Sequence, residues 1–196
     1  MTLATDRRLT LTEYLTYSDG TNRRYELLDG VLKPMSLGTG KHANIIESLN
    51  DRFKAEIRRL NLPLVSKDSK IGIQSPRGTR WETCRIPDIT VLAADLWTEM
   101  QDREAIIRLN DTPPPFLVVE VVSPSTRSED YRSKHSEYSV LDIPEYWIVD
   151  PTAQIITICT LIEGRYQDRE FRDDEPIIST TFTELSLTAA QVLNPN

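Results

Sequence analysis

The sequence predicts an α/β or α+β fold, in which a mixed central β-sheet is flanked by helices. Two observations lead to this class. Short runs of β-branched and aromatic residues alternate along the chain with stretches of helical period. One such run, residues 116–122 (FLVVEVV), is rich in valine and bracketed by prolines, which is typical of a central strand buried on both faces. The 196 residues suffice for one domain, predicted to span residues 1–196.

The helices are predicted from apolar period and capping residues. A short capped helix is expected at 10–15, and a long one at about 41–60 presents an apolar stripe that should pack on a sheet. Thr126, with Glu129 three residues later, predicts a capping box that opens a helix over 125–141. Two shorter helices are expected at 95–101 and 187–193.

The strands are predicted from apolar runs bounded by turn residues. Asp29-Gly30 lies between the runs 24–28 and 31–35, a strong hairpin signal. The other strands are predicted at 63–75, 86–93, 116–122, 145–150, 154–162 and 165–171.

The composition restricts the class of protein. No apolar run approaches the roughly 20 residues of a membrane helix, residues 1–8 contain no secretory signal, and two widely separated cysteines suggest a reduced, cytoplasmic protein. The net charge of −7 argues against a general nucleic-acid coat. Residues 51–90 nevertheless carry a net charge of +4, which predicts either a local phosphate-facing surface or ordinary solvated charges.

Two acids lie where the pattern predicts burial. Glu120 interrupts the apolar run 116–122, and Asp88 lies at the start of the apolar strand 86–93. A buried carboxylate is costly unless it is paired or bound to a metal ion. Two such carboxylates can share one cation, and Mg²⁺ typically takes one or two carboxylates together with waters and substrate phosphates. Either acid alone could instead accept backbone hydrogen bonds at a strand end.

Lys134 is the expected counter-charge. It falls within the sheet-facing stripe of the helix over 125–141, which consists of Tyr131, Lys134, Tyr138 and Leu141. A lysine held there could stabilise negative charge developing on a phosphate or orient an attacking water. The spacing also permits a simple i, i+4 ion pair with Asp130.

These residues resemble a known family. Pro87-Asp88, a spacer of about thirty residues and an acid in an apolar strand resemble the PD-(D/E)XK nuclease superfamily. Within it, the chain resembles the Uma-two family of restriction-endonuclease-type proteins. The matching segments are RYELLDG at 24–30, His42, RIPD at 85–88, VEVVSPST at 119–126, Asp130 with Lys134, and PEYWIVDP at 144–151.

The resemblance implies a restriction-endonuclease-like core and Mg²⁺-dependent hydrolysis of DNA, with Mn²⁺ as an alternative cofactor. Asp88 and Glu120 would hold the metal ion, and Lys134 would complete the catalytic set. The chain departs from the superfamily pattern at Val122, where a lysine normally follows the second acid by two residues. Lys134 would then replace that lysine from the neighbouring helix.

The sequence allows two interpretations for each supporting residue, Glu26 and His42, and for the function of the chain. Glu26 is either an additional acid of the site or a surface acid at a hairpin edge. His42 either contacts phosphate or water, or caps and packs its helix. The chain is either a nuclease, expected to act as a homodimer on duplex DNA, or a non-catalytic binding module with a nuclease fold. A glycosidase is disfavoured because no aromatic-rich groove is evident.

Overall fold

The computed structural model describes residues 8–108 and 111–195. The segment predicted to lack a secretory signal therefore lies almost wholly outside the described residues. Over the described ranges, two mixed β-sheets are flanked by helices, which confirms the predicted fold class. No helix in these ranges has the length and apolar character required to cross a membrane.

The helices agree closely with the sequence pattern. They are α1 (Leu11–Leu15), α2 (Gly40–Arg59), α3 (Ala94–Glu99), α4 (His135–Val140) and α5 (Ala189–Leu193). A π-helical turn, Glu129–Lys134, leads directly into α4. Thr10 caps α1 in a complete capping box with Glu13, in agreement with the short capped helix predicted at 10–15.

Most strands follow the predicted runs, but the run 63–75 divides into two strands, and the strands at Arg80–Arg85 and Ile106–Ile107 were not predicted. The strands are β1 (Tyr25–Leu28), β2 (Val31–Pro34), β3 (Leu64–Asp68), β4 (Gly72–Arg77), β5 (Arg80–Arg85), β6 (Ile89–Ala93), β7 (Ile106–Ile107), β8 (Leu117–Val121), β9 (Glu145–Asp150), β10 (Ile155–Ile162) and β11 (Arg165–Phe171). Asp29 and Gly30 both have positive φ, 49° and 80°, as a tight turn between twisted antiparallel strands requires.

The six-stranded sheet forms the centre of the fold. Its order is β11-β10-β9-β8-β6-β3, with β8 and β9 parallel and the other neighbours antiparallel. Every residue of β8 and of β9 is buried, as expected for central strands covered on both faces. Glu120 therefore lies in the middle of the protein.

Each face of this sheet is covered by apolar side chains. On one face, the stripe of α2 packs with the C-terminal segment against Val119, Val121 and Trp147. On the other, Val118 and Val122 pack with Tyr138 and residues of β4. The second sheet, of order β2-β1-β5-β4-β7, contributes β4 to this second face.

The predicted capping box at Thr126 and Glu129 is wrong. The hydroxyl of Thr126 accepts a hydrogen bond from the backbone N–H of Ser123 at 3.1 Å. The carboxylate of Glu129 binds Lys33 and Arg85 instead of returning to the backbone. Charged donors form stronger hydrogen bonds with a carboxylate than a neutral backbone N–H does, so these tertiary contacts displace the local motif.

Candidate active site

The strand register brings the two unexpected acids together. β6 and β8 are antiparallel, and Ile89 pairs with Val119. Asp88 directly precedes Ile89 and Glu120 directly follows Val119, so both acids lie at the same end of this strand pair. The carboxylate of Asp88 accepts a hydrogen bond from the N–H of the residue after Glu120. The two acids are therefore neighbours at the end of β6.

Glu120 is held by two donors from the helix that follows it. Its side chain is 5% exposed. Oε1 accepts a hydrogen bond from the hydroxyl of Tyr138 at 2.8 Å, and Oε2 lies 2.7 Å from Nζ of Lys134. Burial raises the pKa of Glu120 well above its ordinary value; Lys134 opposes this effect, and the negative charge of Asp88 adds to it. The hydroxyl of Ser123 hydrogen-bonds the hydroxyls of Ser125 and Thr126 and not Glu120.

Lys134 lies between two carboxylates. Its Nζ is 2.9 Å from Oδ1 of Asp130 as well as 2.7 Å from Glu120. Burial tends to lower the pKa of Lys134, but the charges of Glu120 and Asp130 outweigh it and raise that pKa, so the amine stays protonated. The i, i+4 pair with Asp130 and the contact with Glu120 therefore both form. They are not exclusive alternatives.

Asp88 is anchored to the backbone of the neighbouring strand. Its Oδ2 accepts a hydrogen bond from the N–H of Val121 at 2.7 Å. Nε2 of His42 lies 2.9 Å from the carbonyl oxygen of Val121 and 3.6 Å from Oδ2 of Asp88. Burial raises the pKa of Asp88, and His42 and the Val121 amide offset part of that rise. His42 thus lies beside Asp88, at the start of α2.

Glu26 is a buried residue of the site, not a surface acid at a hairpin edge. It is 8% exposed, and its Oε1 accepts a hydrogen bond from the N–H of Ile86 at 3.0 Å. Its Oε2 lies 3.4 Å from Nη1 of Arg85. This contact connects the β1–β2 hairpin to the segment that carries Asp88.

Arg85 forms the centre of a buried ionic network. Its side chain is fully buried, and it binds Glu137 through Nε at 2.7 Å and through Nη2 at 3.0 Å. Nη1 lies 2.7 Å from Oε2 of Glu129, and Ser75 donates to Glu137 at 3.0 Å. The network links β5 and β4 to the helical segment that carries Lys134, and so holds the two walls of the site at a fixed separation.

The site opens into a cleft of about 490 Å³. The five side chains expected from the sequence all line it: Glu26, His42, Asp88, Glu120 and Lys134. Lys33, the loop 34–39 and the segment 123–126 complete its wall. A polymer could approach this opening from solvent.

The donor set fits a hard divalent cation. Asp88 and Glu120 line the cleft, whereas the carboxylate of Asp130 is buried and pairs with Lys134 through Oδ1; among the described residues its Oδ2 has no hydrogen-bond partner. Asp130 raises the pKa of both Asp88 and Glu120, which indicates an excess of negative charge. Carboxylate oxygens with spare lone pairs are the ligands that Mg²⁺ and Mn²⁺ prefer.

Three contributors to the site have roles that sequence reasoning missed. The hydroxyl of Tyr138 was assigned to the core, and Arg85 was noted only as part of a matching segment. The third contributor is the π-helical turn Glu129–Lys134, from which Glu129, Asp130 and Lys134 make ion pairs within the fold. The spacing of these three residues could have indicated it. Such turns occur frequently at functional sites.

The basic segment 51–90 does not form a single phosphate-facing surface. None of its lysines or arginines lines the cleft. Arg85 is buried among acids, Arg59 binds Glu56 and Glu184, and Lys67 lies over the ring of Trp97. Ion pairing within the fold accounts for much of this local positive charge.

Known structures include one with the same fold. The crystal structure of a putative nuclease belonging to DUF820 from Anabaena variabilis superposes with a TM-score of 0.73 at 17% sequence identity. The superposition covers 94% of this chain and 97% of that one.

Two cyanobacterial relatives from Synechocystis sp. are similar in sequence. The uncharacterized protein sll1609 is 24% identical over 151 residues, which cover 76% of this chain and 79% of the relative. The uncharacterized protein slr1290 is 29% identical over 132 residues, and the match spans 63% of its length. The model of the Uma2 family, described as "Putative restriction endonuclease", matches residues 11–190. That match covers nearly the whole chain, so this protein belongs to the Uma2 family.

Proposed function

We propose that this protein is a metal-dependent endonuclease that hydrolyses phosphodiester bonds of DNA. The observation that carries the proposal is the placement of Asp88 beside Glu120 at the base of one cleft, with Lys134 in contact with Glu120. Family membership supports the same class of activity.

Asp88 and Glu120 would hold a Mg²⁺ or Mn²⁺ ion, and Asp130 would add negative charge behind them. When bound, such an ion supplies a water of lowered pKa and neutralises charge on the scissile phosphate. Glu120 can accept a hydrogen bond and bind a cation together, since each carboxylate oxygen has two lone pairs.

The chain's own groups orient this set. Tyr138 and Lys134 fix the rotamer of Glu120, and the amide of Val121 fixes Asp88. Lys134, held protonated by its two acidic neighbours, supplies a positive charge where negative charge develops on the phosphate. Glu26 and His42 act as positioning residues, since each contacts the backbone next to a proposed ligand.

The decisive assay is cleavage of supercoiled plasmid and of single-stranded oligonucleotides with Mg²⁺ or Mn²⁺. We expect Asp88→Asn, Glu120→Gln and Lys134→Ala each to lower the rate by about 100-fold or more, which corresponds to about 2.7 kcal/mol of transition-state stabilisation. Glu47→Gln is the matched control, because it makes the same chemical change as Glu120→Gln at an exposed position of α2. This control should keep the wild-type rate.

Metal binding can be measured independently of cleavage. We expect Mg²⁺ or Mn²⁺ to raise the melting temperature of the wild type, because a ligand that binds only the folded state stabilises it. The shift should be lost in Asp88→Asn and Glu120→Gln and kept in Glu47→Gln. Since cleavage of both strands of a duplex needs two sites, we also expect a homodimer, which sedimentation would detect.

The second candidate function is that of a non-catalytic module with a nuclease fold, which binds nucleic acid or protein. Val122 favours it, because this residue occupies the position of the superfamily lysine and is buried in the apolar core. Folded wild-type protein that yields no metal-dependent product with either metal would refute the enzyme and leave this second function.

A further inference from the structure

A second cluster of metal-ligating side chains lies outside the cleft. Cys159 on β10 pairs in register with Asp168 on β11. Nε2 of His135, the first residue of α4, lies 3.0 Å from Oδ1 and 3.1 Å from Oδ2 of Asp168. One ligand atom from each of the three residues lies within 4.8 Å of the other two. A strand pair and a helix thus converge at one point.

The cluster extends from the core to the surface. The thiol of Cys159 is buried, whereas the side chains of His135 and Asp168 are 28% and 47% exposed. An ion can therefore enter from solvent and still have a thiolate at the inner end of the site. Burial, followed by the charge of Asp168, raises the pKa of the Cys159 thiol, so without a metal ion the sulfur keeps its proton.

The distances between the ligand atoms are close to those around a tetrahedrally coordinated metal ion. Zinc bonds of about 2.0–2.3 Å to N, O and S place neighbouring ligand atoms roughly 3.3–3.7 Å apart. The separation between His135 and Asp168, 3.0–3.1 Å, is already near this value, and the sulfur of Cys159 lies within 4.8 Å of both partners. A mixed set of imidazole, thiolate and carboxylate suits Zn²⁺, whereas Mg²⁺ and Ca²⁺ prefer oxygen ligands alone.

We propose that His135, Cys159 and Asp168 form a binding site for Zn²⁺ or a closely similar transition-metal ion. On binding, the thiol of Cys159 loses its proton to solvent and the sulfur donates to the metal. Nε2 of His135 releases to solvent the proton that it donates to Asp168 and binds the metal through the freed lone pair, while Nδ1 carries the proton of the neutral ring; Asp168 donates one carboxylate oxygen. The fourth position stays open to water.

An ion bound at this position would connect two parts of the fold. It would tie the β10–β11 hairpin to the start of α4, and His135 directly follows Lys134 in the chain. The ion would thereby restrain the helical segment that supplies Lys134 to the cleft, although the site contains none of the residues proposed for cleavage.

Cobalt(II) added to the metal-stripped full chain is the direct test. A bound Co²⁺ with a thiolate ligand gives a sulfur-to-metal charge-transfer band in the near ultraviolet, and Zn²⁺ should abolish it by competition. We expect the charge-transfer band to saturate at one equivalent, and Asp168→Asn and His135→Gln to weaken the binding that it reports at least about tenfold. Cys84→Ser is the control for the second buried thiol and should keep the band.

Thermal unfolding gives a second measurement, which does not require replacement of the buried Cys159. At a Zn²⁺ concentration about a hundred times Kd, the melting temperature should rise by about 5–10 °C. Measured in the Asp88→Asn background, which removes a proposed ligand of the cleft, the rise should persist, and it should disappear when Asp168→Asn is added. Absence of the charge-transfer band, or a rise that survives in the double variant, would overturn the proposal whatever the cleavage assays show.

Discussion

Replacing Arg85 by methionine should destabilise the protein strongly. The guanidinium makes two hydrogen bonds to Glu137, at 2.7 and 3.0 Å, and one to Glu129 at 2.7 Å. Methionine keeps an unbranched apolar stem but removes the positive charge and every donor. Glu137 would then stay buried with Ser75 as its remaining donor among the contacts described here.

The magnitude follows from the burial of the pair. Removing one partner of a buried ion pair costs about 3–5 kcal/mol, because the other charge stays desolvated without compensation. For a domain of this length, each kcal/mol lowers the melting temperature by about 2–4 °C. We therefore expect Arg85→Met to melt roughly 6–20 °C below the wild type.

The stability that the Glu129 ion pairs contribute should fall at low pH. Burial tends to raise the pKa of Glu129, but hydrogen bonds and charges from Lys33 and Arg85 outweigh it and lower that pKa from 4.5 to about 2. The folded pKa is the lower one, so this stabilisation is fully present above about pH 4.5 and is lost as the pH falls toward 2. Without Arg85 the Glu129 carboxylate loses part of this stabilisation, so the difference in stability between wild type and variant should narrow as the pH falls from about 4.5 toward 2.

Arg172→Met is the control. Arg172 also donates a hydrogen bond to a glutamate, Glu170, at 3.1 Å, but the two side chains are 50% and 58% exposed. Exposed ion pairs contribute little because water screens them, so this variant should unfold almost as the wild type does. Urea unfolding can be followed by the fluorescence of buried Trp147. A loss below about 1 kcal/mol in Arg85→Met, or a difference in stability that does not narrow below about pH 4.5, would refute the reasoning.

Three further changes test other parts of the fold. Tyr138→Phe removes the hydroxyl that donates to Glu120 and should lower the free energy of unfolding in urea by about 1–2 kcal/mol. It should also weaken the rise in melting temperature that Mg²⁺ causes. An unchanged rise would contradict the proposed orientation of Glu120. Phe53→Ala leaves a cavity beside Trp147, because the centroids of the two rings are 5.3 Å apart. The change should lower the free energy of unfolding by about 3–5 kcal/mol and alter tryptophan fluorescence. A loss under about 1 kcal/mol would mean that neighbouring side chains move in to fill the cavity. Glu145→Gln removes a charge that accepts hydrogen bonds from residues 179–181; we expect faster amide exchange in that segment, and unchanged exchange would argue against its anchoring role.

Most of the fold could be predicted from local pattern. Strand alternation, turn residues and helical period depend on residues near one another in the chain, and they located α2, the Asp29-Gly30 hairpin and the buried strand β8. The failures occurred where a tertiary contact competed with a local motif. Thr126 and Glu129 fit a capping box in sequence, but Arg85 and Lys33 are stronger partners for the carboxylate.

The candidate site was predictable only in part. Glu120 and Asp88 stand out because a charge within an apolar strand needs compensation. Lys134 could be placed on the inner face of its helix by period alone. The donor to the other oxygen of Glu120 could not be found in this way, since Tyr138 fits an apolar stripe equally well whether or not its hydroxyl has a partner.

The sequence by itself thus determined which strands are buried and which acids are buried with them, because both follow from the alternation of side chains along a strand. The tertiary structure decided how those charges are compensated. Arg85 meets Glu129 and Glu137 across 44 and 52 residues of chain, and Cys159 meets Asp168 and His135 only because β10 pairs with β11 beneath α4. The order of strands in a sheet and the packing of helices on it set such contacts, and no local pattern encodes that order.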